Sequence, residues 1–449
     1  MKYVSTRSSA EKVDAAQAIV AGLAPDGGLY VPESFPAFAL GRVKDMAEQP
    51  YPNRAREVMG AYLTDFSEAE LRACARQAYA PERFGDCPAP LKDVGDLHVL
   101  ELWHGPTHAF KDMALQMLPR LMPLAMKKTG VDKQVFILVA TSGDTGKAAL
   151  EGFCGVEGTQ VGVFYPVDGV SPAQKLQMIT QEGENTHVCA VKGNFDDAQT
   201  GVKRIFGDEA FARELAEKGV ELSSANSINW GRLVPQVAYY FSAYADLLKK
   251  GVIALGDEVN FCVPTGNFGN ILAAYYAKRM GLPVGKLVCA SNANNVLFDF
   301  IEQGVYNANR PFHKTTSPSM DILVSSNLER LLYELCDRDG ALVASWMQAL
   351  KSGGTYAVGE AVHRALMESF AAGWADDEKA MEAIARVHAE CDYTMDPHTA
   401  VAWSVAEAYR AHTGDRRPMV VVSTASPYKF SRSVLTALQG AEEIGRASC

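Results

Sequence analysis

Short apolar runs alternate with amphipathic stretches along most of this chain. Continuous apolar runs are typical of strands that are buried on both faces of a parallel sheet. Here they occupy residues 98–103, 134–140, 160–165, 186–191, 259–263, 286–290 and 419–423. Helical patterns lie between them, over residues 113–118, 172–181, 196–218, 233–248 and 271–280, and across most of 328–412. The alternation predicts an α/β fold with parallel sheets and helices on both faces.

The first 95 residues have a different pattern, and we expect them to form a separate N-terminal domain. A Pro-Asp-Gly-Gly turn at residues 25–28 precedes a short extended piece. Helices are predicted over 54–63 and 68–79, the second with Ser67 as N-cap and Glu70 at capping-box spacing. This region shows no group of catalytic side chains, so its predicted role is packing.

Length and charge narrow the class of protein. A chain of 449 residues is too long for one simple core, so two or three domains are expected. A net charge of −10 argues against a nucleic-acid binder. The nine cysteines form no C-x-x-C pair, which favours buried thiols over disulfides or a metal site. The first residues lack a signal-peptide core, and no uncharged apolar run reaches the ~20 residues of a membrane span. A cytoplasmic protein without membrane contact is predicted.

Three loops follow predicted strands, where α/β folds place their ligands. In residues 140–147, Gly146-Lys147 suggest a nucleotide P-loop, but Thr141 and Ala148 break that pattern, leaving a polar turn suited to an anion. In residues 263–270, two glycines allow close backbone approach to a phosphate, although they also suit a packed turn. In residues 420–427, hydroxyl side chains end an apolar strand. These loops predict one ligand site.

Two further segments contain candidate chemistry. In residues 104–112 a Gly-Pro turn brings Lys111 to the start of a helix, where a cation is disfavoured. A neutral lysine amine forms Schiff bases with carbonyl compounds. An ordinary surface lysine is the alternative. Residues 223–232 are rich in short donors and end in Arg232, a combination that suits a phosphate or only a capped helix.

The segment HGPTHAFKD, residues 104–112, resembles the cofactor-lysine segment of threonine synthases, which belong to the fold-type II family of pyridoxal 5′-phosphate (PLP) enzymes. His108 departs from the apolar residue that is often found there. Residues 5–7 and 22–33 also resemble the N-terminal part of the longer threonine synthases. The resemblance implies that Lys111 is the catalytic lysine and carries PLP.

The same resemblance implies roles for the other segments. The cofactor phosphate is assigned to Gly266, Asn267, Phe268, Gly269 and Asn270. The pyridine nitrogen is assigned to Thr424, with Ser423 as the alternative. The substrate carboxylate is assigned to Thr141, Ser142 and Thr145, and the leaving phosphate to Asn226, Ser227 and Arg232. Relatives often carry Asn where Asp144 faces the cofactor's O3′, so the partner of its extra charge is left open. No metal is predicted.

The implied organisation has two parallel-sheet domains besides the N-terminal one. Residues 96–133 with 245–449 would form the large PLP-binding domain, and 134–244 a smaller, mobile substrate domain. The implied reaction converts O-phospho-L-homoserine and water to L-threonine and phosphate, in a monomer or a homodimer. The alternatives are a PLP-dependent phospho-lyase acting on phosphohomoserine or phosphothreonine, and a non-catalytic PLP- or anion-binding protein.

Overall fold

The computed structural model describes residues 1–7, 11–141, 143–167, 169–170, 172–193 and 195–439. Its strands, in chain order, are β1 (Tyr3–Ser5), β2 (Tyr30–Pro32), β3 (Leu91–Val94), β4 (Leu97–Glu101), β5 (Gln134–Ala140), β6 (Thr159–Pro166), β7 (Thr186–Val191), β8 (Val220–Ser224), β9 (Val259–Pro264), β10 (Val284–Ser291), β11 (Val305–Asn307), β12 (Thr355–Ala357), β13 (Phe370–Trp374) and β14 (Met419–Ser423).

The helices are α1 (Ala15–Ala21), α2 (Leu40–Met46), α3 (Tyr51–Tyr62), α4 (Glu68–Ala78), α5 (Pro81–Phe84), α6 (Asp112–Leu115), α7 (Leu118–Thr129), α8 (Asp144–Phe153), α9 (Pro172–Ile179), α10 (Phe195–Gly207), α11 (Glu209–Glu217), α12 (Trp230–Lys249), α13 (Gly269–Arg279), α14 (Val296–Gln303), α15 (Leu328–Leu335), α16 (Gly340–Gly353), α17 (Glu360–Ser369), α18 (Asp377–Cys391), α19 (Pro397–Thr413) and α20 (Ser431–Gln439). Two short 3₁₀ helices span Pro318–Met320 and Pro427–Phe430. Among the described residues, no helix is both long and apolar enough to cross a bilayer.

Two sheets form the framework of the molecule. The larger has the order β13-β10-β9-β14-β4-β3 and is parallel except for β3, which pairs antiparallel with β4 at one edge. The smaller has the order β7-β6-β5-β8 and is parallel throughout. Central strands such as β9 and β14 are buried along their whole length, which explains their continuous apolar sequences. The predicted α/β class is confirmed, whereas the domain boundaries stay a prediction.

The structure corrects several of the predicted elements. Residues 113–118 are not one helix: α6 ends at Leu115 and the longer α7 begins at Leu118. Residues 196–218 form two helices, because the Asp208 side chain accepts from the Phe211 N–H and caps a second one. Strand β13 was missed since its centre, Ala-Ala-Gly, lacks the bulky β-branched residues of a typical strand. The capping box of Ser67 and Glu70 is present as predicted.

Helix α12 connects the N-terminal unit to the rest of the molecule. Its first residue, Trp230, is fully buried, and its ring centroid lies 5.1 Å from that of Tyr3 and 5.4 Å from that of Tyr62. Further along the helix, Arg54 of α3 reaches Asp246 at 2.6 Å. The N-terminal unit therefore packs on the helix that starts at the predicted phosphate segment. This packing agrees with the structural role expected for the unit.

Candidate cofactor and substrate site

A cavity of about 940 Å³ lies where β5, β8, β9 and β14 end. Its wall includes every predicted site residue that the structure describes. They are Lys111, Thr141, Asp144, Thr145, Asn226, Ser227, Arg232, Gly266, Asn267, Phe268, Gly269, Asn270 and Thr424. Ser142 lies outside the described residues. Segments that are far apart in the sequence thus meet around one space, as the strand-end rule for α/β folds predicts.

The conformation of the lysine segment, residues 104–112, is fixed by contacts between its own residues. Asp112 is fully buried and accepts from the Thr107 N–H at 2.8 Å and from the Thr107 hydroxyl at 2.7 Å. A Cβ at Gly105 would lie 2.5 Å from Asp112 Cβ, so only glycine fits there. Burial raises the pKa of Asp112 to about 6, while the bonds from Thr107 oppose that rise. The turn is fixed in this way, and it presents Lys111 to the cavity.

The amine of Lys111 is held in a partly polar environment. Its Nζ donates to Ser319 Oγ at 3.2 Å and lies 3.9 Å from Asp144 Oδ2. The pKa of Lys111 is lowered to about 8, chiefly by burial, with Asp144 opposing and Arg232 adding to the shift. From the sequence, a helix N-terminus was expected to favour the neutral amine. Helix α6 has only four residues, and burial is the main cause of the lowered pKa of Lys111.

This lowered pKa predicts the pH dependence of cofactor uptake. Only the neutral amine has the lone pair that a carbonyl carbon requires, so uptake by the cofactor-free chain should rise with pH and level off above about 8. At pH 6 the rate should be about 100-fold below the plateau, because the neutral fraction falls tenfold per pH unit. Absorbance after mixing with PLP measures the rate. A rate that keeps rising to pH 10 would mean an ordinary lysine.

Asp144, whose partner the sequence left open, has three partners besides Lys111. Its Oδ1 accepts from Lys429 Nζ at 2.6 Å and from Gln174 Nε2 at 3.1 Å. Its Oδ2 accepts from Ser319 Oγ at 3.5 Å. Burial alone would raise the pKa of Asp144, but Lys429 and Lys111 outweigh it and hold that pKa well below its usual range. Asp144 is therefore an ionised carboxylate beside the lysine amine, with a second ammonium group to balance it.

The predicted phosphate loop joins β9 to α13. Phe268 has a left-handed backbone with φ of 63°, and α13 begins at the next residue, so its first N–H groups have no partner within the helix. On the other side of the loop, carbonyls are already engaged: Ser325 donates to Gly266 O at 2.7 Å and Asn327 to Asn267 O at 3.0 Å. This arrangement leaves mainly donors for an anion, as a phosphate cradle requires.

Asn270 adds a side-chain donor to this loop. Its Oδ1 accepts from Tyr239 at 2.5 Å and from Tyr240 at 2.7 Å. Its Nδ2 has no hydrogen-bond partner although the residue is buried. Two buried tyrosines therefore orient the amide so that its NH₂ group is free for a ligand, and a buried donor without a partner is costly unless a ligand satisfies it.

Gly266 gives a second prediction, about cofactor affinity. A Cβ there would lie 2.5 Å from the backbone oxygen of Ser319, so Gly266→Ala must displace the segment that holds Ser319 against Lys111. We expect PLP affinity to fall about tenfold or more, since overpacking of this kind costs ~1–3 kcal/mol. Absorbance titration with PLP measures it. Gly201→Ala, in open space on α10, is the control and should bind PLP normally.

After strand β14, the structure distinguishes Thr424 from Ser423. Thr424 lines the cavity. The Ser423 hydroxyl is almost fully buried and accepts from Trp103 Nε1 at 3.0 Å and from Thr399 Oγ1 at 3.0 Å. These contacts favour Thr424 over Ser423 as the hydroxyl that faces a ligand.

The predicted phosphate segment, residues 226–232, contains a buried donor that has no acceptor among the described residues. Arg232 is 5% exposed, its Nη1 donates to Ala225 O at 2.9 Å, and its Nε has no partner. Burial lowers the pKa of Arg232 to about 10, so it stays a cation at neutral pH. Arg330, which is fully buried, holds the preceding turn by donating to Ile228 O at 2.6 Å. The arrangement suits a second anion beside the loop at residues 266–270, where a Cβ on Gly269 would lie 3.6 Å from Ser227 Cβ.

These contacts test whether the cavity fits PLP. It offers a buried amine with a lowered pKa, a donor-rich loop with an unsatisfied amide, and the Thr424 hydroxyl in its wall. These are the groups needed to bind an aldehyde, a phosphate and a pyridine nitrogen. The residues therefore fit the cofactor that the sequence predicts.

Sequence reasoning missed Ser319, His398 and Lys429. The Ser319 N–H donates to His398 Nε2 at 3.1 Å, and His398 Nδ1 lies 2.5 Å from buried Asp396. This chain fixes the hydroxyl that accepts from Lys111. In the sequence, Asp396-Pro397-His398-Thr399 has only the pattern of a helix N-terminus, and Asp396 is the N-cap of α19. The only sequence feature that could have drawn attention to His398 is its position two residues after the N-cap residue Asp396.

Comparisons with known proteins agree with this geometry. A family model described as threonine synthase N terminus matches residues 2–79, and one described as pyridoxal-phosphate dependent enzyme matches residues 86–425. Human Threonine synthase-like 1 is 41% identical over 99% of this chain, which spans only 62% of that relative's length. Threonine synthase of Pseudomonas aeruginosa is 41% identical, over 97% of this chain and 90% of its own.

Solved structures give the same picture. PLP-bound threonine synthase from Brucella melitensis superposes with a TM-score of 0.89 at 41% identity, covering 98% of this chain and 92% of its own. Threonine synthase from yeast also has a TM-score of 0.89, at 36% identity, covering 98% of this chain and 90% of its own.

Proposed function

This chain belongs to the pyridoxal-phosphate dependent enzymes and, among them, to the threonine synthase family, and on that premise we propose that it converts O-phospho-L-homoserine and water to L-threonine and phosphate. The predicted family and cofactor are confirmed at this level. One observation carries the proposal: Lys111 and a buried cation, Arg232, lie in the wall of the same cavity. An enzyme for an unphosphorylated amino acid does not need that second anion site.

Each part of the cavity has a place in the proposed reaction. When bound, PLP supplies an electron sink for the electrons released at the substrate's Cα. Lys111, with a pKa of about 8, can take the Cα proton near neutral pH. Helix α8 begins at Asp144, and the N–H groups of Asp144 and Thr145 in its first turn suit the substrate carboxylate. Thr141 Oγ1 shapes this turn by accepting from the Gly143 and Gly146 N–H groups.

Phosphate release is assigned to the segment before α12. Arg232, Asn226 and Ser227 would hold the phosphate while its bond to Cγ breaks. Arg232 Nε has no hydrogen-bond partner among the described residues, so it can donate to a phosphate oxygen. The Arg232 guanidinium is already a cation in a buried place, so it stabilises the charge that develops on the leaving group.

Product analysis tests the proposal. The purified chain is incubated with PLP and O-phospho-L-homoserine, and threonine, phosphate and 2-oxobutyrate are measured. We expect threonine and phosphate in equal amounts. Release of 2-oxobutyrate with phosphate, without threonine, would replace the proposal by a phospho-lyase. A chain that binds PLP but leaves phosphohomoserine and phosphothreonine unchanged would be a binding protein.

A further inference from the structure

Lys429 is a buried lysine that connects three parts of the cavity wall. It lies in the 3₁₀ helix Pro427–Phe430, shortly after β14, and its side chain is only 6% exposed, whereas the next residue back, Tyr428, is 88% exposed. Its Nζ donates to Asp144 Oδ1 at 2.6 Å and to Thr107 O at 2.9 Å. One ammonium group thus joins the start of α8, the turn that carries Lys111, and the strand end that carries Thr424.

We propose that Lys429 is a positioning residue for Lys111, acting through Asp144. It occupies one carboxylate oxygen, and the other, which accepts from Ser319 Oγ, lies 3.9 Å from the Lys111 amine without forming a tight ion pair. The inference rests on the proposed role of Lys111 as the cofactor amine, and not on which substrate is used. It gives Lys429, to which no role is otherwise assigned, a function in setting the protonation of the site.

Charge explains why the second ammonium matters. The charged groups that act on Lys111 are Asp144 and Asp112, which favour its protonated form, and Arg232 and Lys429, which disfavour it. If Lys429 were neutral, Asp144 would remain as a buried carboxylate with Lys111 as its nearest cation. The two would then form a full ion pair and hold the amine protonated, since buried charges require a partner.

The two single neutral variants therefore have opposite predicted effects. Lys429→Gln keeps a polar side chain but removes the charge, and should raise the pKa of Lys111 by about 1 unit or more. Asp144→Asn removes the attracting carboxylate and should lower that pKa by about 1 unit. The double variant should lie close to Asp144→Asn, because without the carboxylate Lys429 loses the group through which it acts. Lys429→Arg keeps the charge and should stay close to the wild type.

The pKa of Lys111 is measured in the cofactor-free full-length chain by competitive labelling with acetic anhydride across a pH series, with the labelled peptide quantified by mass spectrometry. Shifts in opposite directions, with the double variant close to Asp144→Asn, support the proposal. An unchanged pKa in Lys429→Gln, or a fall, overturns it, and so does an equal rise on loss of Lys429 with and without Asp144, which would mean that Lys429 acts directly. If Lys429→Gln does not fold, Lys429→Met takes its place in the same series.

This readout is independent of the substrate. Absence of threonine formation in the wild type would reject the proposed reaction but leave the titration of Lys111 intact. Conversely, normal threonine formation together with an unchanged pKa in Lys429→Gln would reject only the role of Lys429. Thermal unfolding of each variant confirms that a folded chain is being titrated.

Discussion

Replacing Lys111 by alanine should abolish threonine formation and the absorbance of bound PLP together. The variant removes the amine to which we assign both the binding of the cofactor and the removal of the Cα proton. Base catalysis alone accounts for ~10²–10⁴-fold, so we expect kcat to fall by at least about 10⁴. The nearby Lys429 is engaged by Asp144 and Thr107 and does not replace it. Steady-state assay and an absorbance spectrum after gel filtration measure the two losses.

The control for this variant is Lys127→Ala. Lys127 is exposed near the end of α7, the helix that follows the lysine segment, and should keep wild-type rate and spectrum. Threonine formation that survives in Lys111→Ala would place the cofactor on another lysine. Retained PLP absorbance with lost turnover would separate binding from catalysis and assign Lys111 to the second only.

The sequence predicted the α/β class because its central strands are buried on both faces. Strands β5 (Gln134–Ala140) and β14 (Met419–Ser423) match the predicted runs residue for residue. The run at β7 (Thr186–Val191) also matches, although β7 is an edge strand with no buried residue. Strands β3 and β8 were missed, since each mixes polar and apolar residues and is defined by its neighbours rather than by its own pattern. Tertiary pairing decides such segments.

The same limit applies to the site. Short segments such as residues 104–112 and 263–270 are recognisable because the backbone chemistry of a turn restricts which residues fit, as the collisions at Gly105 and Gly266 show. Lys429 and Ser319 lie 318 and 208 positions from Lys111 in the sequence, and only folding brings them close to it. A lysine after Pro-Tyr gives no local sign that it is buried.

The Asp144–Lys429 pair shows how the sequence and the structure complement each other. Sequence comparison raised the question of an extra negative charge beside the cofactor, because relatives often carry Asn at that position. The structure answers it with a second buried charge of opposite sign, at 2.6 Å. A carboxylate in place of an amide is then consistent with a lysine that still has a lowered pKa.

The second large effect is expected at Arg232, where Arg232→Gln should lower kcat/KM for O-phospho-L-homoserine about 30- to 1000-fold. This range corresponds to the ~2–4 kcal/mol of a buried, charge-assisted contact. PLP affinity should change little, because the cofactor phosphate is assigned to the Gly266–Asn270 loop. Kinetics with the phosphorylated substrate and PLP titration measure the two effects, and Arg213→Gln, on an exposed part of α11, is the control.

Geometry makes this prediction specific to arginine. No carboxylate pairs with Arg232 among the described residues, its Nη1 is held by Ala225 O, and its Nε is left without a partner. A buried guanidinium with an unused donor is stabilised when it binds an anion. Inorganic phosphate should therefore inhibit the wild type by occupying this site, and it should lose most of its inhibitory effect in Arg232→Gln. Arg232→Lys should recover only part of the activity, since an ammonium lacks the planar fork that binds two phosphate oxygens. Full activity in Arg232→Lys would show that charge alone suffices, and full activity in Arg232→Gln would move the phosphate site elsewhere.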